Sequence, residues 1–143
     1  MIYLGSSVKV CFVETMLRDQ VNGRLGAYPI PEHELHDFRC ATIALAEPLR
    51  LVNLRGDHAL RMGIPTDAIR ASTHELGKLW SRAIWAHGAQ PDGILYSSRL
   101  NEEPNIALYD RALGKLKVTR DDKLMAYGPE LVEIIKTFDL AVI

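Results

Sequence analysis

The chain has 143 residues, enough for one domain with a real core. Its 48% hydrophobic and 24% charged composition is that of an ordinary soluble globular protein. A net charge of -1 excludes a general nucleic-acid or membrane-surface binder, which would carry a basic excess.

Met1 to Leu4 reads as a strand that starts abruptly. Ser7 is placed to cap a helix from Val8 to about Asp19. Apolar residues lie nearly all round that helix, so it is expected to be buried. Glu14 and Arg18, four apart, share its one polar stripe. The pair reads either as a helix ion pair or as a carboxylate at a cleft floor, where apolar surroundings perturb its pKa. Gln20 to Phe38 is broken by Gly23, Gly26, Pro29 and Pro31, which predicts a loop with a helical turn near Glu32–His36. His33 and His36 have no evident third partner, so surface histidines are expected there and no metal site.

Cys40 to Ala46 and Leu49 to Leu54 read as strands, followed by a turn at Arg55-Gly56-Asp57. Short helical pieces are expected between Asp57 and Arg70. Ser72-Thr73-His74-Glu75 reads as a capping box, and Leu76, Trp80, Ala83, Ile84 and His87 form one helical stripe ended by Gly88 and Pro91. Asp92 to Arg111 organises the chain: two short strands around the acidic turn Asn101-Glu102-Glu103-Pro104. Gly93 is expected to let the chain turn out of the preceding loop. Ser97, Ser98 and Arg99 crowd one strand end, where hydroxyls and a guanidinium suit either solvation or a phosphate or ribose. Lys115 to Thr119 alternates as a strand and Asp121-Asp122 as a turn. Pro129 opens a helix that buries Leu131, Ile134, Ile135 and Phe138, and Leu140 to Ile143 is a last strand.

Strands mixed irregularly with helices predict an α+β fold in a single domain, without a Gly-rich phosphate loop or a nucleophile elbow. Cys11 and Cys40 lack metal spacing and suit a reducing, cytoplasmic setting. Met1-Ile2-Tyr3 carries no basic leader, and no apolar run has the length of a membrane span.

In order and spacing, several short segments together resemble the RES-domain family of bacterial toxins, named for Arg, Glu and Ser. They are Tyr3-Leu4; Glu14 in Val-Glu-Thr-Met-Leu-Arg; Pro48-Leu49-Arg50-Leu51-Val52-Asn53-Leu54; Trp85; Asp92-Gly93-Ile94-Leu95-Tyr96-Ser97-Ser98-Arg99; and Ala107-Leu108-Tyr109-Asp110-Arg111. The resemblance covers nearly the whole chain, 1–143. It implies an ADP-ribosyltransferase-like α+β fold with a mixed sheet core, acting on NAD as substrate and needing no metal. Family members degrade NAD, as glycohydrolases or phosphorylases, or transfer ADP-ribose. A Xre-type antitoxin neutralises them and can assemble with them as an oligomer.

Residue by residue, the family Glu maps to Glu14 and the family's pocket Tyr to Tyr3. The family Ser maps to Ser98 in the Tyr-x-Ser-Arg form, or to Ser97 if the register slips by one; Arg99 would hold ribose or phosphate. The family Arg lies in a block rich in Gly, Arg and Trp ahead of the first strand, which this chain does not contain. The resemblance therefore implies N-terminal truncation, and with it a second reading: an inactive remnant that only binds an antitoxin-like partner.

Overall fold

The computed structural model describes residues 1–18, 20, 23, 25–65, 68 and 75–143. Among them eight strands follow in chain order: β1 Ile2–Gly5, β2 Tyr28–Ile30, β3 Arg39–Leu45, β4 Leu51–Asn53, β5 Gly93–Ser97, β6 Pro104–Leu108, β7 Leu116–Lys123 and β8 Leu140–Val142. The helices are α1 Val8–Phe12, α2 Glu32–Asp37, α3 His58–Arg61, α4 Glu75–Ala86 and α5 Gly128–Thr137. This is an α+β chain. It forms two compact units, Met1–Ser6 with Leu45–Leu116, and Ser7–Ala44 with Lys117–Ile143.

The first unit is built on a four-stranded sheet of order β1-β6-β5-β4. The expected hairpin is its centre: β5 and β6 pair antiparallel, with Ile94 opposite Ala107 and Ser97 opposite Pro104. β1 adds antiparallel to β6, with Tyr3 opposite Ala107. β4 adds parallel to β5, with Asn53 level with Leu95. Parallel neighbours need a crossover, and α3 and α4 lie between these two strands in sequence, so the mixed chain contains one βαβ unit. Ile94, Ala107, Leu108, Tyr109 and Ala112 are buried in this unit.

Gly93 acts differently from the turn expected of it. It begins β5, and a Cβ there would collide with the Ala107 carbonyl oxygen and come within 2.8 Å of Leu108 Cδ2. Its missing side chain lets the two backbones approach. Beside it, Asp92 is 3% exposed and clips three segments together. Its Oδ2 accepts from Arg50 N at 2.7 Å and from Lys115 Nζ at 3.0 Å. Its backbone N donates to Arg50 O, and its carbonyl accepts from Tyr109 N.

In the second unit, Ser7 caps α1 as expected, its Oγ accepting from Val10 N at 3.1 Å. The helix then widens into a π-helix over Val13–Leu17. Val10, Phe12, Val13 and Leu17 are buried, and α1 packs on α5, whose Leu131 and Ile134 are buried too. The glycine- and proline-broken segment holds a strand as well as the expected helix. β2 pairs parallel with β8, and Pro29 is tolerated in a ribbon of only two strands.

The second ribbon, β3 with β7, also differs from expectation, because Asp121-Asp122 lies inside β7 and not in a turn. Arginines hold both carboxylates in extended backbone: Arg39 Nε donates to Asp121 Oδ1 at 3.0 Å, and Arg120 Nε to Asp122 Oδ2 at 2.7 Å. The Arg120 guanidinium also lies 4.0 Å over the Tyr127 ring. Among the described residues no helix is long and apolar enough to cross a membrane.

Candidate functional site

At the carboxyl ends of β4 and β5 an open cleft of about 500 Å³ is lined by Asn53, Arg55, Asp57, His58, Arg61 and Ser97, with Gly56 at its turn. The two strands run parallel, so both deliver their last residues to the same end of the sheet. Asn53 Oδ1 accepts from Arg55 N at 3.0 Å and from Arg55 Nε at 3.4 Å. This local turn fixes the guanidinium at the cleft wall. Gly56 has φ +54, the left-handed region that glycine enters without strain. His58 and Arg61, three apart on α3, then face the same cleft. Sequence reasoning named Arg55-Gly56-Asp57 as a turn but gave the cleft no role. Only the parallel pairing of β4 with β5 brings this turn to Ser97.

Ser97 lines the cleft, whereas Ser98 is 1% exposed. The Ser98 Oγ accepts from Leu100 N at 3.1 Å, its backbone N donates to Glu103 O, and its carbonyl accepts from Glu102 N. The serine that best matches the family is thus engaged in the turn between β5 and β6 and does not line the cleft. The reason is that β5 ends at Ser97, and the chain folds back at once. Arg99 follows on the exposed part of that turn.

Tyr3 is 68% exposed on edge strand β1. The register puts it opposite Ala107, and Ala107 opposite Ile94. Directly paired residues share a face and successive residues alternate, so Tyr3, Ile94 and Tyr96 lie on one face, and Leu95 and Ser97 on the other. The sheet therefore joins Tyr3 and Ser97 without placing them on one face. Glu14 belongs to the second unit, half-buried in the π-helix between the buried Val13 and Met16.

Trp85, from the other family-like segment, lies at the end of α4. Its Nε1 donates to Asp110 Oδ1 at 3.2 Å, and this bond helps hold the Asp110 carboxyl below its ordinary range. Arg111 lies 5.0 Å over the Trp85 ring and donates to the Trp85 carbonyl at 2.7 Å. Tyr109 OH donates to Ser81 O at 2.8 Å, and burial pushes this phenol up. These contacts tie α4 to the segment after β6. Trp85 is 45% exposed, and its ring face is taken by the Arg111 guanidinium. Of the expected capping box Ser72-Thr73-His74-Glu75, residues 72–74 lie outside the described residues, and Glu75 opens α4.

The order of these segments along the chain points to one class of protein. The RES domain model matches residues 1–127, and the chain belongs to the RES domain family. It is 48% identical over 127 residues to "Probable toxin y4kH" of Sinorhizobium fredii (strain NBRC 101917 / NGR234), an alignment covering 89% of this chain and 100% of that protein. No solved structure matches the chain significantly.

Proposed function

We propose that this chain is a RES-type toxin that consumes NAD and is held in check by a Xre-type antitoxin, on an ADP-ribosyltransferase-like fold. The observation that carries this reading is family membership over residues 1–127, joined to 48% identity with a protein described as a probable toxin. In the proposed reaction the bond between nicotinamide and ribose breaks heterolytically. Its electron pair leaves with the nicotinamide ring nitrogen, which loses its positive charge. The ribose carbon gains oxocarbenium character, as in glycoside cleavage, until water, phosphate or a protein nucleophile captures it and gives up a proton.

Glu14, at the family Glu position, supplies the carboxylate that stabilises the developing cation. Tyr3 offers an exposed ring for nicotinamide stacking. Ser98 acts from inside its turn, since its acceptor bond to Leu100 N fixes the backbone that carries Arg99. Arg99 holds ribose or phosphate. The test is to incubate the purified chain with NAD and follow its loss by a cycling assay, with free nicotinamide measured beside it. Stoichiometric nicotinamide release abolished by Glu14→Gln is expected. A folded chain that leaves NAD intact overturns the reading.

A further inference from the structure

We infer that the cleft at the carboxyl ends of β4 and β5 is a phosphate-oxyanion site, with Arg55 and Arg61 as its cations and Ser97 as a hydroxyl donor. The inference goes beyond the proposed NAD chemistry, which gives Arg55 and Arg61 no part, and the cleft includes a residue of the sheet face opposite Tyr3.

Four observations carry it. First, Arg55 is half-buried and oriented by its own turn. Asn53 Oδ1 takes its backbone N–H and its Nε–H, and the terminal guanidinium nitrogens have no protein partner among the described residues. A planar fork fixed at its root is preorganised for two phosphate oxygens. Second, Arg61 reaches the same cleft from α3, so among the described residues two guanidiniums stand against the carboxylate of Asp57. Third, no apolar side chain among the described residues lines the cleft. An anion with several acceptor oxygens finds guanidiniums, an imidazole and a hydroxyl there. Fourth, the volume of about 500 Å³ lies in the range of small-molecule sites and exceeds a single side-chain niche.

The shared chemistry is a phosphate oxyanion. Its source is either the diphosphate of a dinucleotide or free inorganic phosphate. Calorimetric titration of the full chain at low ionic strength with inorganic phosphate, pyrophosphate and ADP-ribose separates the two, with sodium chloride as the ionic-strength control. Saturable one-to-one binding of at least one of them is expected. Arg55→Ala and Arg61→Ala should each weaken it at least tenfold. Arg55→Lys, which keeps the charge without the fork, should fall between, and Ser97→Ala should cost a few-fold. Arg82→Ala, on the exposed side of α4, should match the parent. ADP-ribose or pyrophosphate binding more tightly than inorganic phosphate assigns the dinucleotide source; equal or tighter binding of inorganic phosphate assigns the free ion.

Absence of binding by all three compounds to a chain whose circular dichroism is intact overturns the inference. So does affinity that survives both arginine substitutions. NAD loss followed on the same proteins keeps the two proposals apart. Phosphate binding through Arg55 without NAD consumption sinks the proposed function alone, and NAD turnover with unchanged phosphate affinity in the variants sinks this inference alone.

Discussion

Lys115 donates its ammonium to the Asp92 carboxylate at 3.0 Å, with Asp92 nearly sealed from solvent and Lys115 only partly exposed. Burial alone would raise the Asp92 pKa. The Arg50 backbone N–H and the Lys115 ammonium outweigh it and hold the carboxyl below its ordinary value of 3.8. A depressed carboxylate contributes stability that is fully present above the unfolded pKa and is lost as pH falls through the folded one. Asp92→Asn should therefore cost about 1.5–3 kcal/mol near neutrality, the worth of a hydrogen bond to a charged group. The gap between variant and parent should close as pH drops below about 4. Thermal unfolding of both proteins from pH 7 to pH 2.5 measures it, and a constant gap contradicts the assignment.

The two consecutive serines should separate by stability and by activity. Ser98→Ala removes the acceptor of Leu100 N. It should lower stability by about 0.5–1.5 kcal/mol and weaken NAD consumption. Ser97→Ala removes a hydroxyl at an open cleft. It should stay within about 0.5 kcal/mol of the parent and consume NAD more nearly at the parent rate. Urea unfolding and an NAD cycling assay on both variants decide it. A larger loss of turnover from Ser97→Ala would reverse the assignment.

Gly93→Ala should destabilise the first unit by about 1–3 kcal/mol, the usual cost of overpacking. The added methyl meets the Ala107 carbonyl and Leu108 within the central hairpin. Gly88→Ala is the matched control, since a Cβ there meets nothing within 4 Å. Chemical denaturation midpoints should shift for the first and hardly at all for the second.

Glu14→Gln should reduce NAD consumption about 10²–10⁴-fold, the range for a positioned acid–base group. The fold should survive, because Glu14 is only half-buried and Gln keeps its size. Circular dichroism checks the fold while nicotinamide release reports the chemistry. Retained turnover in the folded variant would remove Glu14 from the mechanism.

What the sequence determined by itself was local. The Ser7 cap, the strand-turn-strand of Gly93 to Leu108, the Pro129 helix start and the ordered segments of the RES pattern are each set within a few residues. Capping bonds, turn chemistry and alternation act over that range. The tertiary structure decided what depends on distant partners. Asp121-Asp122 reads as a turn until Arg39, 82 residues away, holds Asp121 in a strand. Gly93 reads as a loop exit until Ala107 approaches it. Nothing local joins Arg55 to Ser97: the parallel pairing of β4 with β5 does so through backbone hydrogen bonds across some forty residues. Those bonds have the same chemistry whichever side chains flank them, so sheet order and the face each side chain takes emerge only when the strands meet.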